Sequence, residues 1–192
     1  MDYQPAIGDT SCSRRRGVPR VRAVSPSERS DWTADERQRI EELIDEYRVA
    51  LHDSLRDLTE EEVRRPLVPS KTTLLGLVKH ASFVEGVWFD HAVTGRSYAE
   101  IGIPRTVDDS FTLHKRDTIE TVQAEYRKRW EKSRMNLAGL PADEIVDGRG
   151  PRAVWALRLQ VLRELAQHAG HADILREQVL ASRPLAPPGP HS

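Results

Sequence analysis

Glu164 and His168, four residues apart, are the pair in this sequence best placed to do chemistry. On a helix that spacing stacks two side chains one turn apart on one face. Val161 and Leu175 belong to the same face, so the pair points at a core or its rim. A carboxylate and an imidazole turned inward cost free energy unless something satisfies them. A divalent ion does so directly, taking a carboxylate oxygen and a ring nitrogen and favouring the deprotonated form of each. His80, beside Leu77 and Val84 at the edge of another dry stripe, offers a third ligand from a facing helix. Two histidines and one carboxylate leave a tetrahedral ion with an open position. That is the composition of a catalytic zinc site and not of a closed structural one. The same donors suit nickel and iron(II).

Spacing alone is a weak signal, because an i,i+4 Glu/His pair is more often a surface ion pair and a lone inward histidine more often a hydrogen-bonded core residue. His171 lies three residues beyond His168, near the Glu164 side of the helix. It offers an alternative ligand beside His168, or a group that orients a ligand or moves a proton; we carry it as the candidate catalytic base. His91 is eleven residues past His80, roughly 16 Å along a helix at 1.5 Å per residue, too far to share its ion. His52 falls off its helix's stripe, between Arg48 and Arg56, and reads as solvated. His114 and His191 sit in segments without a period to place them. Cys12, the single cysteine, lies in a polar N-terminal stretch and reads as incidental.

The elements that must position these residues are helical. Thr33 with Glu36 has capping-box spacing, and Ile40, Leu43, Ile44, Tyr47, Leu51, Leu55 and Leu58 make one stripe of a first helix expected to end near Asp57. A connector follows, holding Pro66 and Pro69. The second helix is expected from about Thr72 to Thr94, with Gly95 as its stop. The stretch 96–116 has no strong period, and a loop of that length in a compact domain usually crosses the fold or carries function. Asp117 with Glu120 is expected to open the third helix, with Val122, Tyr126 and Trp130 inward. After a connector from Pro141 to Arg152, the fourth helix is expected from near Ala153 to Ala181. No segment alternates long enough to mark a strand. Four such helices with one long crossover between the second and third describe an all-α four-helix bundle, and an up-down-down-up order explains the length of that crossover.

Composition bounds the rest. The 192 residues suffice for one domain with a full core. A net charge of −1 argues for neither nucleic acid nor an anionic membrane as partner. No apolar run approaches the ~18 residues of a membrane span, and one cysteine precludes an internal disulfide, so a cytoplasmic monomer or homodimer is expected. The first thirty residues hold six arginines against three acidic residues, with Pro, Ser and Gly between. Residues 1–32 are read as a disordered extension, 33–182 as the bundle, and 183–192 as a disordered, proline-rich tail.

Two motifs resemble a known family. Leu74–Phe89 (LLGLVKHASFVEGVWF) resembles the second helix, and Glu164–Glu177 (ELAQHAGHADILRE) the fourth, of the DinB-like metal-binding four-helix bundles. Asp117–Val122 and Ser133–Pro141 agree as well. The resemblance, over about residues 34–181, is to the subset similar to mycothiol-dependent maleylpyruvate isomerase and the bacillithiol and mycothiol S-transferases. It implies a divalent metal, zinc first, on His80, Glu164 and His168. It also implies a low-molecular-weight thiol of the mycothiol type as cosubstrate, with an electrophilic small molecule as substrate. The chain departs from relatives at Gln160, where a further histidine is frequent, and at Arg158 and Leu159, where they are more apolar. Thiol transfer or isomerisation is the expected chemistry. A metal-dependent hydrolase, a non-haem iron enzyme and a non-catalytic metal- or ligand-binding bundle are the alternatives. Tyr98, Arg105, Phe111 and His114 in the crossover are candidates for shaping the substrate pocket.

Overall fold

The computed structural model describes residues 35–183, and most of these are helical. The expectations for Thr33, for residues 1–32 and for 184–192 fall outside the described residues. Asp35 caps the first helix, α1 (Glu36–Asp53), by accepting from the Arg37 amide. The helix ends four residues before the expected Asp57. A hydrogen-bonded turn continues to Asp57, which takes φ +60°, a left-handed stop that aspartate tolerates better than most residues. The connector holds a short helix, α2 (Glu60–Val63), opened by a complete Thr59/Glu62 capping box. Arg183, placed by sequence in the tail, pairs with Glu62 at 2.7 and 2.9 Å.

The second long helix is continuous but not uniform. Thr73 caps α3 (Leu74–Glu85) by accepting from Gly76 N at 3.0 Å. A π-helical turn, Gly86–His91, follows, and α4 (Ala92–Thr94) completes it. Gly95 ends the run at φ +72°, the conformation that favours glycine there. The crossover is not structureless: it contains α5 (Tyr98–Ile101), with a Ser97/Glu100 capping box, and α6 (Val107–Phe111), capped by Thr106. Helices of four and five residues are too short for a 3.6-residue period to repeat, which is why no pattern was legible. Thr118 and Thr121, not Asp117 and Glu120, open α7 (Ile119–Leu137). Asp117 is used elsewhere, accepting from the His114 amide and from Lys79.

The third connector contains a two-stranded hairpin, β1 (Ile145–Val146) against β2 (Arg152–Ala153), with Ile145 opposite Ala153; strands of two residues are too short for an alternating pattern to mark them, contrary to the expectation of no strand. Its tip closes on the end of the second long helix, where Gly148 donates to Ala92 O at 3.0 Å. A Cβ on Gly148 would stand 2.2 Å from His91 O, so no other residue fits. The hairpin runs directly into α8 (Val154–Ala181).

Leu51 and Leu55 from α1, Leu77 and Val78 from α3, Tyr126 from α7, and Leu157, Val161 and Leu165 from α8 are buried in one core. Packing runs from α1 to α8, from α8 to α3, and from α3 to α7. Side chains close α7 back onto α1: Gln123 donates to His52 O at 2.8 Å, and Arg134 meets Asp45 at 3.0 Å. His52 is therefore not solvated as expected. It lies edge-on to Trp130 and is bonded to Asp53 and Arg127. Inside, Arg48 of α1 grips Glu85 of α3 through two bonds of 3.0 and 2.6 Å, both residues being buried.

Candidate metal centre

His80 leaves α3 toward α8 and toward the crossover. It is 5% exposed, and α6 covers it: Phe111 stacks on the ring at 4.1 Å and 15°, and Ser110 Oγ lies 2.7 Å from Nδ1. The Ser110 hydroxyl donates its one proton to Val107 O. It can therefore only accept from His80, which places the imidazole proton on Nδ1 and leaves the Nε2 lone pair free. A partner on one ring nitrogen that fixes the tautomer of the other is the usual support of a metal-bound histidine. Burial first, and the neighbouring His168 second, lower the His80 pKa to about 3, so the ring stays in its ligand form.

Glu164 and His168 meet it from α8. The His80 and His168 rings are 4.7 Å apart and nearly perpendicular. His168 Nε2 lies 3.6 Å from Glu164 Oε2, too long for a hydrogen bond. His168 Nδ1 is buried and has no partner among the described residues. Burial pushes the His168 pKa down against the pull of Glu164. The other Glu164 oxygen, Oε1, accepts from Gln160 Nε2 at 2.8 Å and from Arg163 at 2.9 Å. This leaves Oε2 as the oxygen that faces His168. One ligand atom from each of the three residues lies within 4.8 Å of the others.

These residues fit a divalent ion. Donors at ~2.1 Å on a tetrahedral ion stand ~3.4 Å from each other, close to the observed 3.6 Å between Glu164 and His168. No separation exceeds 4.8 Å, a range that small side-chain torsions bring to the ideal. Two neutral imidazoles and a carboxylate gathered at this range below the surface are costly without an ion, and an ion takes one lone pair from each.

The other expected site residues are dispersed. His171 is exposed and tilted against His168, ring centres 5.9 Å apart, outside the ligand cluster. Of the crossover residues, Phe111 covers the site. Tyr98 packs edge-on to Phe83 and His91 and accepts from Arg149. His114 lines a cavity of about 760 Å³ between α3, the crossover and α7, beside Lys79, Phe83 and Asp117, and Arg105 is exposed. None of the three ligand candidates lines that cavity. Ser110 was missed by sequence. A serine in an aperiodic segment, thirty residues from His80, carries no local signal of its partner. Gln160, noted only as a departure, proves to hold the Glu164 carboxylate.

A family model described as Mycothiol-S-transferase matches residues 39–181, nearly the whole span from α1 to α8 and all three ligand candidates. No curated protein matches the chain. No described helix is long and apolar enough to cross a membrane. With the two quoted motifs on the helices that carry the cluster, and the family model covering both, the chain belongs to the mycothiol S-transferase family of DinB-like proteins.

Proposed function

We propose that the protein is a metal-dependent transferase that joins mycothiol, or a thiol like it, to an electrophilic small molecule. The observation that carries this reading is the convergence of His80, Glu164 and His168 within 4.8 Å, with the His80 proton directed away from the centre by Ser110. The family description supports the thiol. We infer zinc as the ion, with nickel and iron(II) suited to the same donors. When bound, the ion supplies positive charge that favours the thiolate, the reactive form of a thiol, at neutral pH.

The chain's own residues do the rest. Ser110 holds the His80 tautomer, and Gln160 and Arg163 hold Glu164 by its outer oxygen. Phe111 and Phe83 shield one side of the His80 ring from water. His171, exposed beside His168 and adjoining solvent, is the group we assign to accept the proton released when the thiol becomes a thiolate. No cysteine is present among the described residues, and we take the nucleophile to be the cosubstrate thiol.

We also infer that the four long helices form a DinB-like bundle in up-down-down-up order, in the cytoplasm. The contacts support the order. Glu41 meets Arg158 and Ser54 meets Arg176, so α1 and α8 run together. Lys79 meets Asp117 and Phe89 meets Asn136, so α3 and α7 do as well. Asp45 meets Arg134 and His52 meets Gln123, which sets α1 against α7.

The test is turnover of an electrophile panel, such as monobromobimane and epoxides, by zinc-loaded protein with and without mycothiol. Thiol-dependent adduct formation above a His80→Ala control is expected. Turnover that needs no thiol would replace this reading with hydrolysis.

A further inference from the structure

A second cavity, of about 280 Å³, lies among α1, α7 and α8 on the other flank of α8 from the metal cluster. Arg158 precedes Glu164 by six residues, about 9 Å along the helix and ~240° around it. None of His80, Glu164 and His168 lines the cavity. Four arginines do, Arg37, Arg48, Arg134 and Arg158, against two carboxylates, Glu41 and Asp45.

Within the lining itself cations outnumber carboxylates. Glu41 Oε1 is shared, lying 3.1 Å from Arg37 Nε and 3.2 Å from Arg158. Asp45 Oδ1 is shared as well, at 2.8 Å from Arg48 and 3.0 Å from Arg134. Arg48 and Arg134 have further carboxylates outside the cavity, Glu85 and Glu131. Arg158 has none besides the shared oxygen. It is also the most deeply buried of the four, at 1% exposure, and none of its three guanidinium nitrogens has a hydrogen-bond partner among the described residues. A guanidinium carries five donors and cannot shed its charge to escape burial. A buried guanidinium whose one counterion is a shared carboxylate that makes no hydrogen bond to it is costly, and an anion in the cavity would supply the missing acceptors.

We propose that this cavity is a second ligand site, for a small organic carboxylate anchored by Arg158. A carboxylate matches the guanidinium fork in its plane with two parallel bonds. The remaining wall, Ile44, Phe89 and Leu137, is apolar and suits a short hydrocarbon body. The volume approaches the lower end of small-molecule sites, ~300 Å³. Glu41 competes with the ligand for Arg158, so it weakens binding without being part of the anchor.

Calorimetric titration of the full chain with succinate and glutarate tests this, at constant ionic strength with chloride as reference. Saturable binding is expected. It weakens by about ten- to a hundredfold in Arg158→Met, which removes a charge-assisted pair from one side, and less in Arg158→Lys. It strengthens in Glu41→Gln, a variant that keeps the anchor and serves even if Arg158→Met does not fold. Binding must persist in chelator-treated His80→Gln protein. No saturation by either acid, equal binding by Arg158→Met, unchanged or weaker binding by Glu41→Gln, or binding lost with His80 would each overturn the proposal, the last by assigning the acid to the metal cluster.

Discussion

Ser110 is the residue whose removal separates tautomer control from mere packing. It is fully buried and touches His80 through one hydrogen bond. Loss of such a partner lowers metal affinity by roughly ten- to a hundredfold. Ser110→Ala is expected to keep its circular dichroism spectrum while zinc affinity, measured by competition with a chromophoric chelator, falls in that range. Unchanged affinity would mean that Phe111 stacking alone orients the ring. A second residue-scale expectation concerns acid. In the metal-free fold His80 takes a proton only near pH 3, because burial and then His168 disfavour its charge, whereas the unfolded ring takes one near 6.5. Between these values the unfolded chain binds more protons, so stability falls as pH drops through the window. At pH 5 this costs about 2 kcal/mol relative to pH 7.5. Urea midpoints of metal-free protein should show the loss in wild type and lack that component in His80→Gln.

The elements are locked to each other by buried charge as well as by apolar contact. Arg48 of α1 and Glu85 of α3 meet at the start of the π-helical turn, with Glu85 wholly inaccessible. Removing one partner strands the other. Glu85→Gln or Arg48→Met alone is expected to cost about 3–5 kcal/mol in chemical denaturation, whereas the double change Arg48→Met with Glu85→Leu comes close to neutral. A double-mutant cycle with no coupling would show that the pair contributes nothing beyond packing. The π turn itself changes the helical phase between His80 and His91. Within it, Phe89 O accepts from Asn136 Nδ2 of α7 at 2.9 Å, a bond to a carbonyl of the irregular turn itself.

For the whole molecule the question is whether the ion holds the fold or only works on it. The described core runs through all four long helices on apolar side chains, none of them a ligand candidate. The metal-stripped chain is therefore expected to remain folded, with a lower melting temperature. Added zinc should stabilise it by ~2.7 kcal/mol at a free concentration one hundred times the dissociation constant. Calorimetric melts across a zinc series measure this. A chain that unfolds on chelation would make the ion a structural pin.

Much of the fold was determined by sequence alone. Apolar positions repeating at 3.6 residues mark each long helix, because burial of one face is a local property of the chain. Glu164 and His168 were legible for the same reason, since four residues on a helix always return to one face. The joining of His80 to them was legible only as an expectation carried by motif resemblance. What the tertiary structure alone decided are the events that depend on partners far along the chain: Ser110 setting a proton on His80, Gln160 holding Glu164, His52 drawn onto Trp130, Arg158 enclosed among α1 and α7. Each depends on which helix faces lie together, and no spacing within a segment encodes that.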